Sequence, residues 1–181
     1  MMAIGVVETN CIPLGILAGD SMVKTADVTL ASAQTACAGK YIVIVAGDVA
    51  AVKASVAAGV ASAASALVDS LVIPNVDERV ICAMNGAPAI DHADAVGVIE
   101  TFSLASAISA ADTAVKAADV ELIEVRLGRG MGGKSFVVYT GAVSAVEAAT
   151  RAAEADEGSK GLIGASVVIP APHLDMIKAL L

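Results

Sequence analysis

Aromatic side chains are almost missing from this chain of 181 residues, which has two Phe, two Tyr and no Trp. A pocket walled by rings, the common form of a small-molecule site, is therefore disfavoured, and so is stacking of bases on aromatic platforms. Basic residues are few: 11 Lys and Arg against 19 Asp and Glu leave a net charge of −8. They are also scattered, so the electrostatic footprint of a phosphate backbone is lacking and no nucleic-acid partner is expected. Long apolar runs are interrupted by Asp20 and Lys24, by Asp48 and Lys53, and by Asp69. A bilayer span needs about 18 to 20 apolar residues in succession, so no membrane partner is expected. The opening M-M-A-I-G-V-V-E lacks the basic region and apolar stretch of a signal peptide, which points to the cytoplasm. Cys11, Cys37 and Cys82 are odd in number and form no C-x-x-C pair. A disulfide framework is not expected, and reduced thiols or a metal ligand remain.

What the chain has instead is small apolar side chains. It is 57% hydrophobic, with 39 Ala and 16 Gly. A monomer of this size seldom exposes large apolar patches, so burial between subunits, hence an oligomer, is expected.

An internal repeat organises the chain. Displacing the sequence by 92 positions aligns Ala3–Thr9 (A-I-G-V-V-E-T) with Ala95–Thr101 (A-V-G-V-I-E-T), and 14 of 28 pairs from Ala3 to Leu30 are identical. Asp20 pairs with Asp112, Lys24 with Lys116, and A-D-V at 26–28 with A-D-V at 118–120. After a two-residue insertion in the second copy, Gly39-Lys40 matches Gly133-Lys134; further on, Val72-Ile73-Pro74 matches Val168-Ile169-Pro170. Two copies of one domain follow, 1–84 and 95–181, joined by a Gly-, Pro- and Asp-containing linker at 85–94.

Each copy reads as β-α-β-β-α-β from its periodicities. In the first, Ala3–Thr9 is a strand, and Pro13 suits the first turn of a helix to Thr25. Val28–Gln34 and Tyr41–Ala46 are strands, and Asp48 can cap a helix carrying Val49, Val52, Val56 and Val60 at spacings of three and four. Leu67–Ile73 is the last strand, ended by Pro74. This is an α+β chain of two tandem ferredoxin-like domains, a motif that hosts many unrelated functions.

Catalytic chemistry is not assembled by these residues. His92 lies in the linker and His173 in P-A-P-H after the last strand, both read as surface or packing residues. Glu8 and Glu100 recur at one strand end, where a carboxylate is at least as suited to holding a nearby backbone N–H as to acid–base work. The run Arg129–Lys134 (R-G-M-G-G-K) fits neither phosphate-loop pattern and precedes a strand, so it reads as a tight hairpin. Cys11 and Cys82 read as buried small hydrophobes. No enzyme activity is expected.

The repeated A-I-G-V-V-E-T, D-x-x-V-K-x-A-D-V, G-K, G-D-V-A-A-V and V-I-P-A-P-H resemble the shell proteins of bacterial microcompartments over essentially the whole chain, in their tandem-domain form. The resemblance implies a homotrimer whose six domains form a pseudohexameric tile in a shell within the cytoplasm, packed against other shell proteins. It places Lys24 and Lys116 at the tile edge, where each meets its counterpart. Family members often carry P-R-P-H after the last strand; here Ala171 replaces the Arg, and the first copy has Pro74-Asn75-Val76-Asp77.

The resemblance also makes the hairpin between the second and third strands a pore loop. Ala36, Cys37 and Ala38 line the pore from the first copy, and Arg129, Gly130, Met131 and Gly132 from the second. Around a threefold axis one Cys37 per chain becomes three thiols at one point. That arrangement matches family members thought to hold one [4Fe–4S] cluster per trimer on three Cys37 ligands, with Arg129 offsetting the negative charge. Electron transfer or gating across the shell, with encapsulated redox enzymes as partners, follows from that resemblance. Two alternatives stand beside it: a cluster-free pore passing small polar metabolites, and a ligand-sensing regulatory protein of two ferredoxin-like domains.

Overall fold

The computed structural model describes residues 2–86, 93–159 and 161–181. His92 and most of the linker at 85–94 lie outside the described residues. In chain order the elements are β1 (Ala3–Thr9), α1 (Ile12–Thr25), β2 (Thr29–Ala36), β3 (Lys40–Gly47), α2 (Val49–Ala63), β4 (Leu67–Ile73) and α3 (Glu78–Met84). The second copy repeats them as β5 (Ala95–Thr101), α4 (Leu104–Ala117), β6 (Val120–Leu127), β7 (Ser135–Gly141), α5 (Val143–Ala155), β8 (Ile163–Ile169) and α6 (Leu174–Leu180). The sheets are antiparallel with orders β2-β3-β1-β4 and β6-β7-β5-β8. This is the ferredoxin-like arrangement the two periodicities imply.

The chain forms two compact units. One comprises Met1–Val76 with Ser103–Ala105 and Gly128–Lys134; the other comprises Asp77–Phe102, Ser106–Leu127 and Ser135–Leu181. In the first, β1 is central and buried on both faces along its whole length, and Ala3–Val7 form a continuous apolar run rather than an alternating one, followed by the buried polar residues Glu8 and Thr9. Helix α1 has Pro13 in its first turn and lays Ala18 and Met22 against Val7, Val43, Val45, Val52 and Val56. Asp48 occupies the position before α2, yet its side chain accepts no capping hydrogen bond. Val49–Ala66, interrupted only by Lys53, turns out long and apolar enough to cross a membrane by length and composition, contrary to the expectation that its charges break every such run. Its face of Val52, Ser55, Val56, Gly59 and Ala63 is instead buried in the protein.

In the second unit α5 buries Val146, Ala149, Thr150 and Ala153. The Tyr139 hydroxyl shares a hydrogen bond of 2.6 Å with Thr150 Oγ1, and burial pushes its pKa up. Gly97 has to be Gly because a Cβ there would overlap the Tyr139 ring. Helix α3, which the periodicities leave out, packs on β6. Asp77 caps it by accepting from Arg79 N. The Arg79 guanidinium pairs with Asp77 at 2.8 Å and donates to the carbonyls of Val115 (3.1 Å) and Val120 (3.0 Å). That guanidinium holds the Asp77 carboxyl below the usual carboxylate range.

Candidate pore-loop site

The first loop is a three-residue connection. Ala36 pairs with Lys40 across β2 and β3, leaving Cys37, Ala38 and Gly39 to reverse the chain. Ala38 and Gly39 take positive φ, 51° and 74°. Glycine does so freely, whereas at Ala38 the left-handed conformation costs about 1 kcal/mol. The tightness of this turn presents Cys37, whose side chain is partly exposed as a free thiol.

The second loop, Gly128–Lys134, belongs to the same compact unit. Gly128, Gly130, Gly132 and Gly133 all have positive φ, in keeping with the hairpin reading of R-G-M-G-G-K. Two of these glycines also have close neighbours. A Cβ on Gly128 would come within 3.0 Å of Ala36 Cβ, and one on Gly133 within 3.2 Å of Lys40 Cε.

Polar contacts fasten the second loop beside Cys37 at four places. Cys37 N donates to Gly128 O at 2.6 Å, and Gly130 N donates to Cys37 Sγ at 2.9 Å. Arg129 donates to Gln34 Oε1 at 2.6 Å. Lys40 Nζ donates to Gly133 O at 2.8 Å. Of the residues expected at the pore, the structure thus brings Ala36, Cys37, Arg129 and Gly130 into one cluster with Ala38 at its turn, while Met131 and Gly132 lie further round the second loop.

Under this cluster lies a fully buried carboxylate. Glu8 and Lys40 are diagonal neighbours on one face of the β1–β3 ladder, since Glu8 stands opposite Ile42. Lys40 Nζ is 2.7 Å from Glu8 Oε1, with side-chain exposures of 13% and 0%. The other oxygen, Oε2, accepts from the backbone N–H groups of Leu104 (2.6 Å) and Ala105 (3.2 Å), the first residues of α4. Four first-turn N–H groups of a helix lack intrahelical partners and carry partial positive charge, so a carboxylate there is well placed. The reading of Glu8 as a holder of backbone N–H groups is what the structure shows. The sequence reasoning missed Lys40; its signal was present in the shared Gly-Lys dipeptide at 39–40 and 133–134.

The remaining candidates are dispersed. Lys24 is exposed on the last turn of α1 and pairs with Asp20 at 2.6 Å. Lys116, at the matching place on α4, pairs with the nearly buried Asp112, which also accepts from Asp77 N at 2.9 Å. His173 is an exposed residue before α6, its Nδ1 accepting from Asp175 N at 3.2 Å. Cys82 is exposed on α3 and Cys11 only partly buried before α1. The expectation that both are buried hydrophobes therefore fails: α3 is one short amphipathic helix turned through Val80 and Ala83, which are its buried residues.

Among the described residues of one chain no three His, Cys, Asp or Glu side chains are grouped to hold a metal ion. A centre with more than one thiolate at Cys37 thus needs further copies of the chain. One observation fits an iron–sulfur group: the Gly130 N–H already points at Cys37 Sγ, and hydrogen bonds to ligand sulfurs are a normal part of such sites.

Each copy is a four-stranded antiparallel sheet of ferredoxin-like order, and the two hairpin loops meet at Cys37. The chain belongs to the BMC domain family, whose model matches residues 3–76 and 95–172, and it is a structural shell protein of a bacterial microcompartment. It is 44% identical over 174 residues to the bacterial microcompartment shell protein PduT of Citrobacter freundii, covering 96% of this chain and 95% of that one. It is 42% identical over 88 residues to the shell protein PduA of the same organism, 48% of this chain against 91% of that one. A crystal structure of a microcompartment protein from Desulfitobacterium hafniense superposes with a TM-score of 0.85 at 47% identity, covering 99% of each chain.

Proposed function

We propose that this chain is a homotrimeric, pseudohexameric tile of a cytoplasmic microcompartment shell, and that three Cys37 thiolates at its centre hold one [4Fe–4S] cluster. The observation that carries the reading is the Gly130 N–H on Cys37 Sγ at 2.9 Å, within a loop pair fixed by three further polar contacts. A group of this kind supplies one-electron exchange. This chain's own residues present the thiolate, donate an N–H to it and set Arg129 in the same loop to offset negative charge.

Trimer formation is supported by an asymmetry between the copies. Helix α4 is buried along nearly all its length, whereas the matching α1 exposes Ile16 and Leu17 at 54% and 49%. Leu122 on β6 is buried, and its counterpart Leu30 on β2 is 49% exposed. Val167 on β8 is 50% exposed too. A patch complementary to another patch on the next copy makes a heterologous contact, which closes into a ring when the rotation allows. Lys24 and Lys116 then stand at the tile edge, facing other shell proteins, and encapsulated redox enzymes are the partners an electron-carrying pore would serve.

Anaerobic reconstitution tests the cluster. The unmodified protein should bind about one [4Fe–4S] cluster per trimer. Cys37→Ser should lose the visible absorbance while remaining trimeric, whereas Cys11→Ser and Cys82→Ser should keep it. Full iron and sulfide in the Cys37 variant would refute the assignment. If the unmodified chain binds none, a cluster-free conduit for small polar metabolites is the better account.

A further inference from the structure

We propose that Lys40 is the positioning residue of the Cys37 site. By binding the Gly133 carbonyl above and the Glu8 carboxylate below, it holds the second loop so that the Gly130 N–H stays on Cys37 Sγ, and this bond raises the reduction potential of a cluster ligated there. The redox half rests on the cluster reading under Proposed function; the loop-holding half does not.

Four contacts fasten the loop, and they differ in kind. The Cys37 N–H to Gly128 carbonyl bond fixes the loop's entry. The bond from Arg129 to Gln34 is exposed to water, and such contacts contribute little against solvent competition. At the exit, Lys40 is the one anchor tied to a fully buried charge. Its side chain is only 13% exposed, with Glu8 at 2.7 Å and Gly133 O at 2.8 Å. Glu8 is itself fixed by two amides at the start of α4, so Lys40 cannot swing away without leaving a buried carboxylate uncompensated. Gly130 lies between the fixed entry at Gly128 and the fixed exit at Gly133. Its φ of +74° is a backbone state accessible to Gly, and the entry and exit anchors help to select it from the others Gly can adopt. Without the exit anchor, the N–H is free to turn from the sulfur to water.

The chemical consequence follows from charge. An N–H donor at a ligand sulfur stabilises the more negative, reduced form of a cluster, so its presence raises the potential and its loss lowers it. The effect belongs to the first copy's thiol and the second copy's loop together. This explains why a seven-residue Gly-rich loop at 128–134 accompanies a first loop whose turn spans only Cys37, Ala38 and Gly39.

The test uses the full chain with Lys40→Met and Lys40→Arg. Amide hydrogen exchange of the apo-protein should quicken about tenfold across 128–134 in Lys40→Met, with Lys40→Arg close to the unmodified protein, because Arg keeps a positive charge for Glu8 and a donor for the Gly133 carbonyl. After anaerobic reconstitution, Lys40→Met should retain full iron and sulfide but show a midpoint potential displaced to more negative values, and Lys40→Arg should restore most of the displacement. If Lys40→Met fails to fold, the double variant Glu8→Gln with Lys40→Met removes both charges, leaves an acceptor for Leu104 and Ala105, and is measured in its place. Unchanged exchange at 128–134 overturns the proposal, and so does faster exchange with an unchanged potential. If the unmodified protein takes up no cluster, it is the cluster reading that fails, and the exchange comparison by itself decides whether Lys40 holds the loop.

Discussion

Replacing Glu8 by Gln removes one charge from the interior while keeping the shape and one acceptor, so it isolates the ion pair. Gln can still accept from the Leu104 and Ala105 amides that Glu8 holds at 2.6 and 3.2 Å. What it cannot do is neutralise Lys40, which is only 13% exposed. Taking away one partner of a buried pair costs about 3 to 5 kcal/mol, and the retained acceptor places this case near about 3 kcal/mol. Lys40→Met strands the carboxylate instead, but two backbone donors remain on it, so a loss of about 2 kcal/mol is expected. The two changes together restore charge balance. The double variant should therefore be more stable than the sum of the singles by about 2 kcal/mol. Guanidinium denaturation of the three variants at one fixed protomer concentration measures this, because subunit association adds to apparent stability. Additivity within about 0.5 kcal/mol would show that the pair is not coupled, and the account of how the second loop is held would fall with it.

Two further predictions concern assembly and pH. Lys24→Asp should suppress growth of trimers into sheets, seen by electron microscopy and light scattering, while leaving the trimer intact. The lysine is an exposed residue whose pairing with Asp20 is worth a few tenths of a kcal/mol; sheets that form unchanged would remove Lys24 from the edge. At Asp77, the Arg79 guanidinium lowers the folded-state pKa, so the stabilisation is complete above the ordinary carboxylate pKa of about 4 and is lost as pH falls through the depressed value. The difference in urea midpoint between the unmodified protein and Asp77→Asn should thus be largest near pH 6 and shrink toward pH 3, and a difference independent of pH would contradict the Asp77–Arg79 pairing.

Local pattern alone sufficed for the strands and the long helices. Ala3–Thr9 and Leu67–Ile73 agree with the structure residue for residue, because a strand needs only a run of suitable side chains between turn residues. Helix α3 was not legible in the same way. Its seven residues are too few to form a stable helix by themselves, and they are held by Asp77 capping the first turn and by Arg79 reaching carbonyls 36 and 41 positions away.

The repeat told from sequence that two domains share one fold, and the resemblance pointed to Cys37 as the residue to watch. Neither said what surrounds that thiol. The Gly130 N–H on its sulfur is 93 positions away, as is the Gly133 carbonyl on Lys40, and Glu8 meets the α4 amides at separations of 96 and 97. Contacts of that range leave no local periodicity, since nothing in a window of a dozen residues constrains which distant backbone group will arrive. The sequence by itself determined the elements, the duplication and a lone cysteine in a short turn. The tertiary structure decided that a buried Glu–Lys pair and three other loop contacts would hold a glycine amide against that cysteine, because burying a charge demands a partner wherever along the chain the fold can supply one.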